Sequence, residues 1–248
     1  MPISAVIISK NAATQIGECL ASLAFADEIL VVDSDSDDGT ADIARKAGAR
    51  VITKEWLGFG RQKQFAVSQA RNDWVLCLDA DERVSDALRA SILAEIAAPR
   101  ASAYDMARCN RFLGHWLRHG EGYPDWSLRL FDRREARWSD DAVHERVLAN
   151  ARPARLSGDL LHDSAETLAR YLDKQNRYTT LQAEAMRAAG ERASLTRLVL
   201  SPLARFIKFY VFRLGFLDGQ AGLVHITIGC MNSFHKYAKL LALQRTAT

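Results

Sequence analysis

The chain has 248 residues, 48% of them hydrophobic and 25% charged, which is the composition of a folded protein and excludes an intrinsically disordered one. The net charge of +3 excludes a protein that binds polyanions over its whole surface. Residues 195–248 carry a net charge of +6 and residues 1–194 carry −3, so basic character is concentrated near the C-terminus.

Short apolar runs alternate with helical patterns in the first hundred residues. The predicted strands are 3–9, 28–33, 50–53 and 74–78, and the predicted helices are 15–23, 41–47, 61–70 and 85–97. Gly39 and Thr40 indicate the start of the second helix, Gly48 its end, and Ser85 the N-cap of the fourth. This alternation is typical of parallel strands joined by right-handed helical crossovers, so an α/β fold is predicted.

Acidic residues follow two of these strands. Asp33 ends the second strand, and Asp79 and Asp81 come directly after the fourth. The carboxyl ends of parallel strands meet at one edge of a sheet, where open α/β sheets bind ligands. We therefore predict a nucleoside diphosphate with Mg²⁺ or Mn²⁺, and we expect Asp33 at its sugar or base end. For Asp79 and Asp81 the alternative is a solvated turn or a helix cap.

Two glycines and two cations open the third predicted helix. Gly58 and Gly60 allow the backbone to approach a ligand, and Arg61 and Lys63 are candidates for contact with a phosphate or a base. A simple loop with solvated charges explains the same pattern equally well.

Beyond Pro99, short strand-like segments such as 103–107 and 126–131 lie among loops rich in Gly, Trp, His and Arg, where an acceptor site is expected. His144 and Glu145 are adjacent, and a partly desolvated carboxylate is suited to removing the proton of an attacking hydroxyl. His144 and His162 are candidate metal contacts, although an ordinary hydrogen-bonded pair also explains His144 beside Glu145. Aromatic residues and arginines at 116–129, Arg129 among them, are suited to binding a sugar or an anionic acceptor group; no nucleic-acid module is recognised.

The segment from residue 195 is apolar and basic at once. Its longest stretch without Asp, Glu, Lys or Arg, Gly219–His235, is shorter than the ~20 mainly apolar residues of a spanning helix. This favours helices that lie on a membrane surface, with packing on the sheet or a subunit interface as the alternative. The scattered cysteines and the absence of a signal-peptide pattern predict a cytoplasmic protein. With the basic, apolar C-terminal segment, the predicted location is peripheral, at the inner face of the cytoplasmic membrane.

Three segments, in their order along the chain, resemble those of a known family. Residues 5–11, residues 29–34 with Asp38-Gly39-Thr40, and residues 74–82 resemble the nucleotide-sugar half of glycosyltransferase family 2, whose members are inverting enzymes of the A-type fold. Residues 56–60, 123–125, 128–131, 143–146 and 215–219 are similar to bacterial lipopolysaccharide-core glucosyltransferases. With these segments the resemblance extends over nearly the whole chain.

The resemblance implies roles for individual residues. It places Ser9, Asp33 and Arg61 around the nucleoside, Asp79 at the ribose and Asp81 at the metal. The residues themselves add Lys63 as a candidate donor contact and His144 and His162 as candidate metal contacts. Glu145 is the expected catalytic base, and Asp125 is its substitute.

The predicted fold is the nucleotide-diphospho-sugar transferase fold, with a mostly parallel central sheet flanked by helices and a helical C-terminal extension. Its expected parts are a nucleotide-sugar half at 1–100, an acceptor half at 101–165 and the extension at 166–248. The expected reaction is transfer of a hexose, glucose by resemblance, from a UDP-sugar to a hydroxyl of a lipid-linked or lipopolysaccharide-core saccharide. The alternatives are a nucleotidyltransferase, although Ser9-Lys10-Asn11 is not the Gly-rich loop expected of one, and a non-catalytic nucleotide-binding or membrane-tethering module.

Overall fold

The computed structural model describes residues 1–141, 145–164 and 166–245. The chain divides into two compact units. The sheet unit consists of Met1–Arg108 and Asp125–Asp163, and the helical unit consists of Cys109–Pro124 and Ser164–Thr248. The segment 109–124, which lies within the predicted acceptor half, therefore groups with the C-terminal helices.

The first half of the sheet unit has the predicted alternation. The strands are β1 (Ile3–Ser9), β2 (Glu28–Asp33), β3 (Arg50–Thr53) and β4 (Trp74–Asp79), and the helices are α1 (Ile16–Ser22), α2 (Thr40–Lys46), α3 (Phe59–Gln69) and α4 (Asp86–Ala97). Every one of these elements was predicted, with ends within two residues. Gly39 precedes α2 with a φ of 88°, a conformation that favours glycine, and the hydroxyl of Ser85 accepts a hydrogen bond from the Leu88 amide at the start of α4.

The central sheet is mixed. The remaining strands are β5 (Glu82–Val84), β6 (Ala103–Phe112), β7 (His115–Trp116), β8 (Asp125–Asp132), β9 (Ala136–Trp138), β10 (Val147–Ala149) and β11 (Ala154–His162). The order is β3-β2-β1-β4-β8-β6-β11-β5, with β7 paired to β6; β9 and β10 form a separate pair. Strands β3, β2, β1 and β4 run parallel, whereas β8 pairs antiparallel with β4 and β6, and β5 with β11.

The core of the sheet unit lies on both faces of β1. Ile3, Ala5 and Ile7 belong to one apolar cluster, whereas Val6 and Ile8 belong to a second. A strand buried on both faces reads as a continuous apolar run, which explains why β1 was identifiable from the sequence.

The helical unit is built from α5 (Leu168–Ala188), α6 (Leu195–Phe206) and α7 (Gly219–Arg245), with α7 packed against both of the others. A π-helical segment, Ile207–Phe212, and a 3₁₀ turn, Gly215–Asp218, connect α6 to α7. Buried Asp218 accepts hydrogen bonds from the amides of Arg118 and His119, and it pairs with the His119 ring at 2.9 Å. Asp218 thus fixes the loop after β7 to the start of α7.

The apolar surface of α6 is largely exposed. No residue of α6 is buried, Leu195 is 74% exposed, and Phe212 in the following turn is 77% exposed. Within the described ranges, no helix combines the length and the apolar character that crossing a bilayer requires.

Candidate active site

The parallel strands bring three of the predicted residues to one edge of the sheet. Ser9 at the end of β1 lies opposite Asp33 at the end of β2, and Ile8 lies opposite Asp79 at the end of β4. The chain then turns through Ala80 and Asp81 into β5. The prediction that both acidic clusters share one edge is confirmed by this register.

A cavity of about 680 Å³ opens at this edge. It is lined by Ile8, Ser9, Lys10, Asn11, Ala12, Gln15, Trp56, Phe59, Asp79, Ala80, Asp81 and His162. Trp56 and Phe59 are exposed and pack edge to face with their ring centroids 4.8 Å apart. The volume lies in the range of small-molecule binding sites.

Asp33 is buried and its carboxylate accepts several hydrogen bonds. Oδ1 accepts from the hydroxyls of Ser9 at 2.9 Å and Ser36 at 2.6 Å, and Oδ2 accepts from the Ser36 amide at 2.9 Å. The neighbouring Asp38 instead accepts from the amides of Ala13 and Thr40, the latter at the start of α2, as expected of a capping acid. Asp33 is thus held rigidly, with the Ser9 hydroxyl beside it.

Asp79 lies between two cations. Its Oδ2 accepts a hydrogen bond from Arg129 Nη2 at 2.9 Å, and Lys63 Nζ lies 3.1 Å from its Oδ1. Burial alone would raise the pKa of Asp79, but the charges of Arg129 and Lys63 outweigh it and hold that pKa well below its ordinary value. Asp79 is therefore an ionised carboxylate whose charge is already balanced.

The ion pairs of Asp79 belong to a longer chain of alternating charges. Glu145 meets Lys63 at 3.1 Å; beyond Asp79, Arg129 meets Glu82 at 2.8 Å. The chain continues from Glu82 to Arg108 at 3.6 Å and from Arg108 to Asp125 at 2.6 Å. We call these seven residues the ion chain: Glu145, Lys63, Asp79, Arg129, Glu82, Arg108 and Asp125. The two candidate bases, Glu145 and Asp125, are its two ends.

Asp81 stands outside the ion chain. In the described part of the sequence no lysine or arginine nitrogen lies within 4 Å of its carboxylate, and its Oδ2 lies 3.3 Å from His162 Nε2. Both side chains are partly accessible, 27% and 22% exposed, and both line the cavity. The antiparallel pairing of β11 with β5, in which His162 lies opposite Glu82, brings the histidine to this position.

The remaining predicted residues lie in different environments. Arg61 is exposed in the first turn of α3, whereas Lys63, two residues later, is buried. His144 lies outside the described residues. Asp125 receives two hydrogen bonds from Arg108, at 2.6 and 2.9 Å.

Glu145 approaches α3 because of a glycine in that helix. A Cβ added to Gly60 would overlap the carbonyl oxygen of Ser139 and would lie 3.3 Å from the Glu145 Cβ. The glycine therefore lets Ser139 and Glu145 lie directly against the first turn of α3.

Sequence reasoning missed Glu82 and misjudged Arg129. Arg129, expected to contact an acceptor, is instead buried between Asp79 and Glu82, and its guanidinium lies 5.7 Å from the centre of the Trp138 ring. The available signal was its place between Leu128 and Leu130, inside an apolar strand pattern. A charge at such a position indicates a buried pair.

Metal-ligating side chains are few at this site. Within the described ranges, no group of three or more His, Cys, Asp or Glu side chains is arranged to hold a metal ion. The protein atoms suited to a cation at the cavity are the carboxylate of Asp81 and the imidazole of His162. Two protein ligands can suffice for Mg²⁺ where phosphate and water oxygens complete its coordination.

Sequence comparison identifies relatives along the whole chain. The family model Glycosyl transferase family 2 matches residues 4–151. The lipopolysaccharide core biosynthesis glycosyltransferase LpsC of Rhizobium meliloti is 33% identical, over 97% of this chain and 92% of that protein. An uncharacterized glycosyltransferase of Rickettsia typhi is 32% identical, over 97% of this chain and 87% of its own length.

Solved structures show a partial likeness. Mannosyl-3-phosphoglycerate synthase from Rubrobacter xylanophilus is 31% identical and covers 44% of this chain and 41% of its own, with a TM-score of 0.39. Glucosyl-3-phosphoglycerate synthase from Mycobacterium tuberculosis, solved with Mn²⁺ and UDP-glucose, is 22% identical and covers 44% of each chain, with a TM-score of 0.38. The assignment therefore rests on the sequence matches, and these show that the chain belongs to glycosyltransferase family 2, with the A-type fold predicted from its sequence.

Proposed function

We propose that this glycosyltransferase moves a hexose from a UDP-sugar to a hydroxyl of a lipopolysaccharide-core or lipid-linked saccharide, with inversion at the anomeric carbon. The observation that carries the proposal is the pair of Asp81 and His162 on the wall of a cavity that Ser9 and Asp79 also line. The name of the Rhizobium relative supports a lipopolysaccharide-core acceptor and the resemblance of the later motifs supports glucose.

In this proposal the nucleoside lies at the ends of β1 and β2. The Ser9 hydroxyl and the Asp33 carboxylate, already joined by a hydrogen bond, face the base and the ribose. Asp79 contacts the ribose side, and exposed Arg61 is the cation on the donor side, whereas the ammonium of Lys63 is paired with Asp79. Since Asp79 is neutralised by Lys63 and Arg129, it is a poorer cation ligand than Asp81.

Asp81 and His162 would hold Mg²⁺ or Mn²⁺ together with the diphosphate, with His144 as a further candidate ligand. Their donor atoms are an oxygen and a nitrogen, 3.3 Å apart and accessible from the cavity, which suits a cation that keeps most of its ligands from phosphate and water. When bound, the cation would neutralise charge on the leaving diphosphate.

The proposed chemistry is a direct displacement. The acceptor oxygen forms a bond to the anomeric carbon while the bond from that carbon to the diphosphate oxygen breaks, and the acceptor proton passes to the Glu145 carboxylate. Asp125, at the other end of the ion chain, is the alternative base, although the two hydrogen bonds from Arg108 already occupy one of its oxygens.

We further propose that the helical unit contacts the cytoplasmic membrane from the inside. The exposed apolar residues of α6 and the following turns stand beside Arg197, Lys208 and Arg213. Apolar side chains flanked by cations match an anionic bilayer surface, and a lipid-linked acceptor would be reached there.

A thermal-shift screen tests the donor. The protein is heated with UDP, GDP, ADP, CDP or dTDP, each with and without Mn²⁺, and stabilisation by UDP only in the presence of Mn²⁺ is expected. Release of UDP from UDP-glucose, but not from UDP-galactose, would then support the glucosyl assignment. Equal stabilisation by all diphosphonucleosides without metal would contradict the proposal and favour a non-catalytic nucleotide-binding module.

A further inference from the structure

Lys63 is a buried cation in the second turn of α3. Its exposure is only 5%, and its ammonium lies 4.8 Å from the centre of the Trp138 ring and 6.0 Å from that of Phe59. An ammonium is strongly hydrated in water, so its burial is unfavourable unless carboxylates replace the lost water.

Two carboxylates from distant parts of the sequence do so. Lys63 Nζ lies 3.1 Å from Glu145 Oε1, and it lies 3.1 and 3.4 Å from the two carboxylate oxygens of Asp79. The aromatic rings around the ammonium supply a further electrostatic attraction. The lysine is therefore the one link in the ion chain between the carboxylate at the cavity wall and Glu145.

The position of Glu145 depends on this link. Its side chain is 20% exposed, and within the described residues Lys63 is the only partner of its carboxylate in a hydrogen bond or ion pair. Gly60, one turn earlier in α3, leaves room for Glu145 to approach the helix. Glu145 thus lies close to the helix, and Lys63 holds its carboxylate there.

We propose that Lys63 is a positioning residue, which holds the Glu145 carboxylate in the orientation that accepts the acceptor proton and ties it to Asp79 on the donor side. This inference rests on the proposed function, because it takes Glu145 as the base. It differs from the expectation that Lys63 binds the donor: with two carboxylates at 3.1 Å, its charge is already balanced before a diphosphate arrives.

A double-mutant cycle tests the inference. We would measure kcat and the donor KM for the wild type, Lys63→Met, Glu145→Gln and the double variant, using the donor found in the thermal-shift screen. Lys63→Met should lower kcat about 10²-fold with the donor KM changed less than about threefold. In the Glu145→Gln background the same substitution should lower kcat less than about threefold, since residues that act as a unit are not additive.

Two further variants separate positioning from folding. Lys63→Arg keeps the charge and should recover kcat to within about tenfold of the wild type. Lys46→Met, an exposed lysine at the end of α2, is the matched control and should leave kcat and KM unchanged. Unfolding midpoints of all variants show which ones fold.

Each outcome has a defined meaning. The positioning role would be overturned if the losses in kcat of Lys63→Met and Glu145→Gln multiplied in the double variant. It would also be overturned if Lys63→Met raised the donor KM more than tenfold and kept kcat, because Lys63 would then bind the donor. A Glu145→Gln variant at the wild-type rate would overturn it as well, while leaving sugar transfer itself established. If the wild type turns over no donor, the proposed function fails. The Lys63–Glu145 link can then be tested by urea unfolding of the same four proteins, and additive losses in the free energy of unfolding would refute the link.

Discussion

In the sheet unit, seven charged side chains from Glu145 to Asp125 are joined in one series of ion pairs, and two of them, Lys63 and Arg129, are buried cations. In α6 of the helical unit, by contrast, no residue is buried and the exposed side chains are mainly leucine and valine, beside a few cations. The sheet unit thus buries two cations at the candidate site, whereas α6 of the helical unit leaves its apolar side chains exposed.

In the proposed function each of these arrangements has a role. Buried charges are retained where they orient chemistry, because apolar residues would stabilise a core as well or better. Apolar residues exposed in such number usually mark a surface that binds a membrane or another protein. Substitutions in the two units should therefore change different measurements, turnover in the first and membrane binding in the second.

The largest effect is expected at Asp81. Asp81→Ala should lower sugar transfer at least about 10³-fold and abolish its response to Mn²⁺, because in the proposed function the cation would lose its carboxylate ligand. Radiolabelled-sugar transfer across a Mn²⁺ titration measures this effect. Asp42→Ala, an exposed acid of α2, is the control. Metal-dependent turnover retained in Asp81→Ala would remove Asp81 from the proposed site.

The two ends of the ion chain should respond unequally. Glu145→Gln should lower kcat about 10²- to 10³-fold with donor affinity nearly unchanged, whereas Asp125→Asn should lower it less than about tenfold. Steady-state kinetics of both variants, with donor affinity from calorimetry, decides between the two candidate bases. The opposite ranking would move the base to Asp125.

Arg129 should affect stability more than any other cation of the ion chain. Arg129→Met leaves Asp79 and buried Glu82 without their shared partner, and should cost about 3–5 kcal/mol in the free energy of unfolding. Urea denaturation measures it. Arg134→Met, which removes a largely exposed arginine paired with Asp132, is the control and should cost much less. Equal losses in the free energy of unfolding would mean that the buried ion pairs of Arg129 stabilise the protein no more than the exposed pair of Arg134 does.

The smallest effect is expected from substitutions in α6, which should change membrane binding and not turnover. Replacing Val199 and Leu203 with serine should weaken binding to vesicles of anionic phospholipid about 10- to 100-fold, since the apolar area that enters the bilayer is lost. Hydrolysis of the soluble donor should not change. Leu93→Ser, at an exposed leucine of α4, is the matched control. Unchanged vesicle binding, with a change in the sedimentation coefficient instead, would make this surface a subunit contact.

Much of the sheet unit could be predicted because its signals are local. Strands β1, β2 and β4 are continuous apolar runs, and the register of parallel neighbours then places Ser9, Asp33 and Asp79 at one edge. The prediction of Asp81 beside them needed no more than its place in the sequence.

The partners of these residues could not be predicted, because they depend on distant pairing. Strand β5 has only three residues, two of them charged, so it has no clear strand pattern. In β11 the polar residues Arg155, Ser157 and Asp159 alternate with less polar ones, which indicates a strand but not the strand that it pairs with. Their antiparallel register nevertheless decides that His162 meets Asp81. Likewise, nothing local distinguishes buried Lys63 from exposed Arg61, two residues earlier in the same helix.

The pairing of β11 with β5 also has a consequence for how the protein is made. Asp81 and His162 are far apart in the sequence, and the family match ends at residue 151, before β11 begins. During synthesis the four parallel strands are complete in sequence once residue 79 has left the ribosome, but the histidine can join them only after the last strand of the unit has been added. A nascent chain or a fragment that ends at residue 151 would thus have the sheet edge without this histidine, and in the proposed function it would lack one of the two candidate cation ligands.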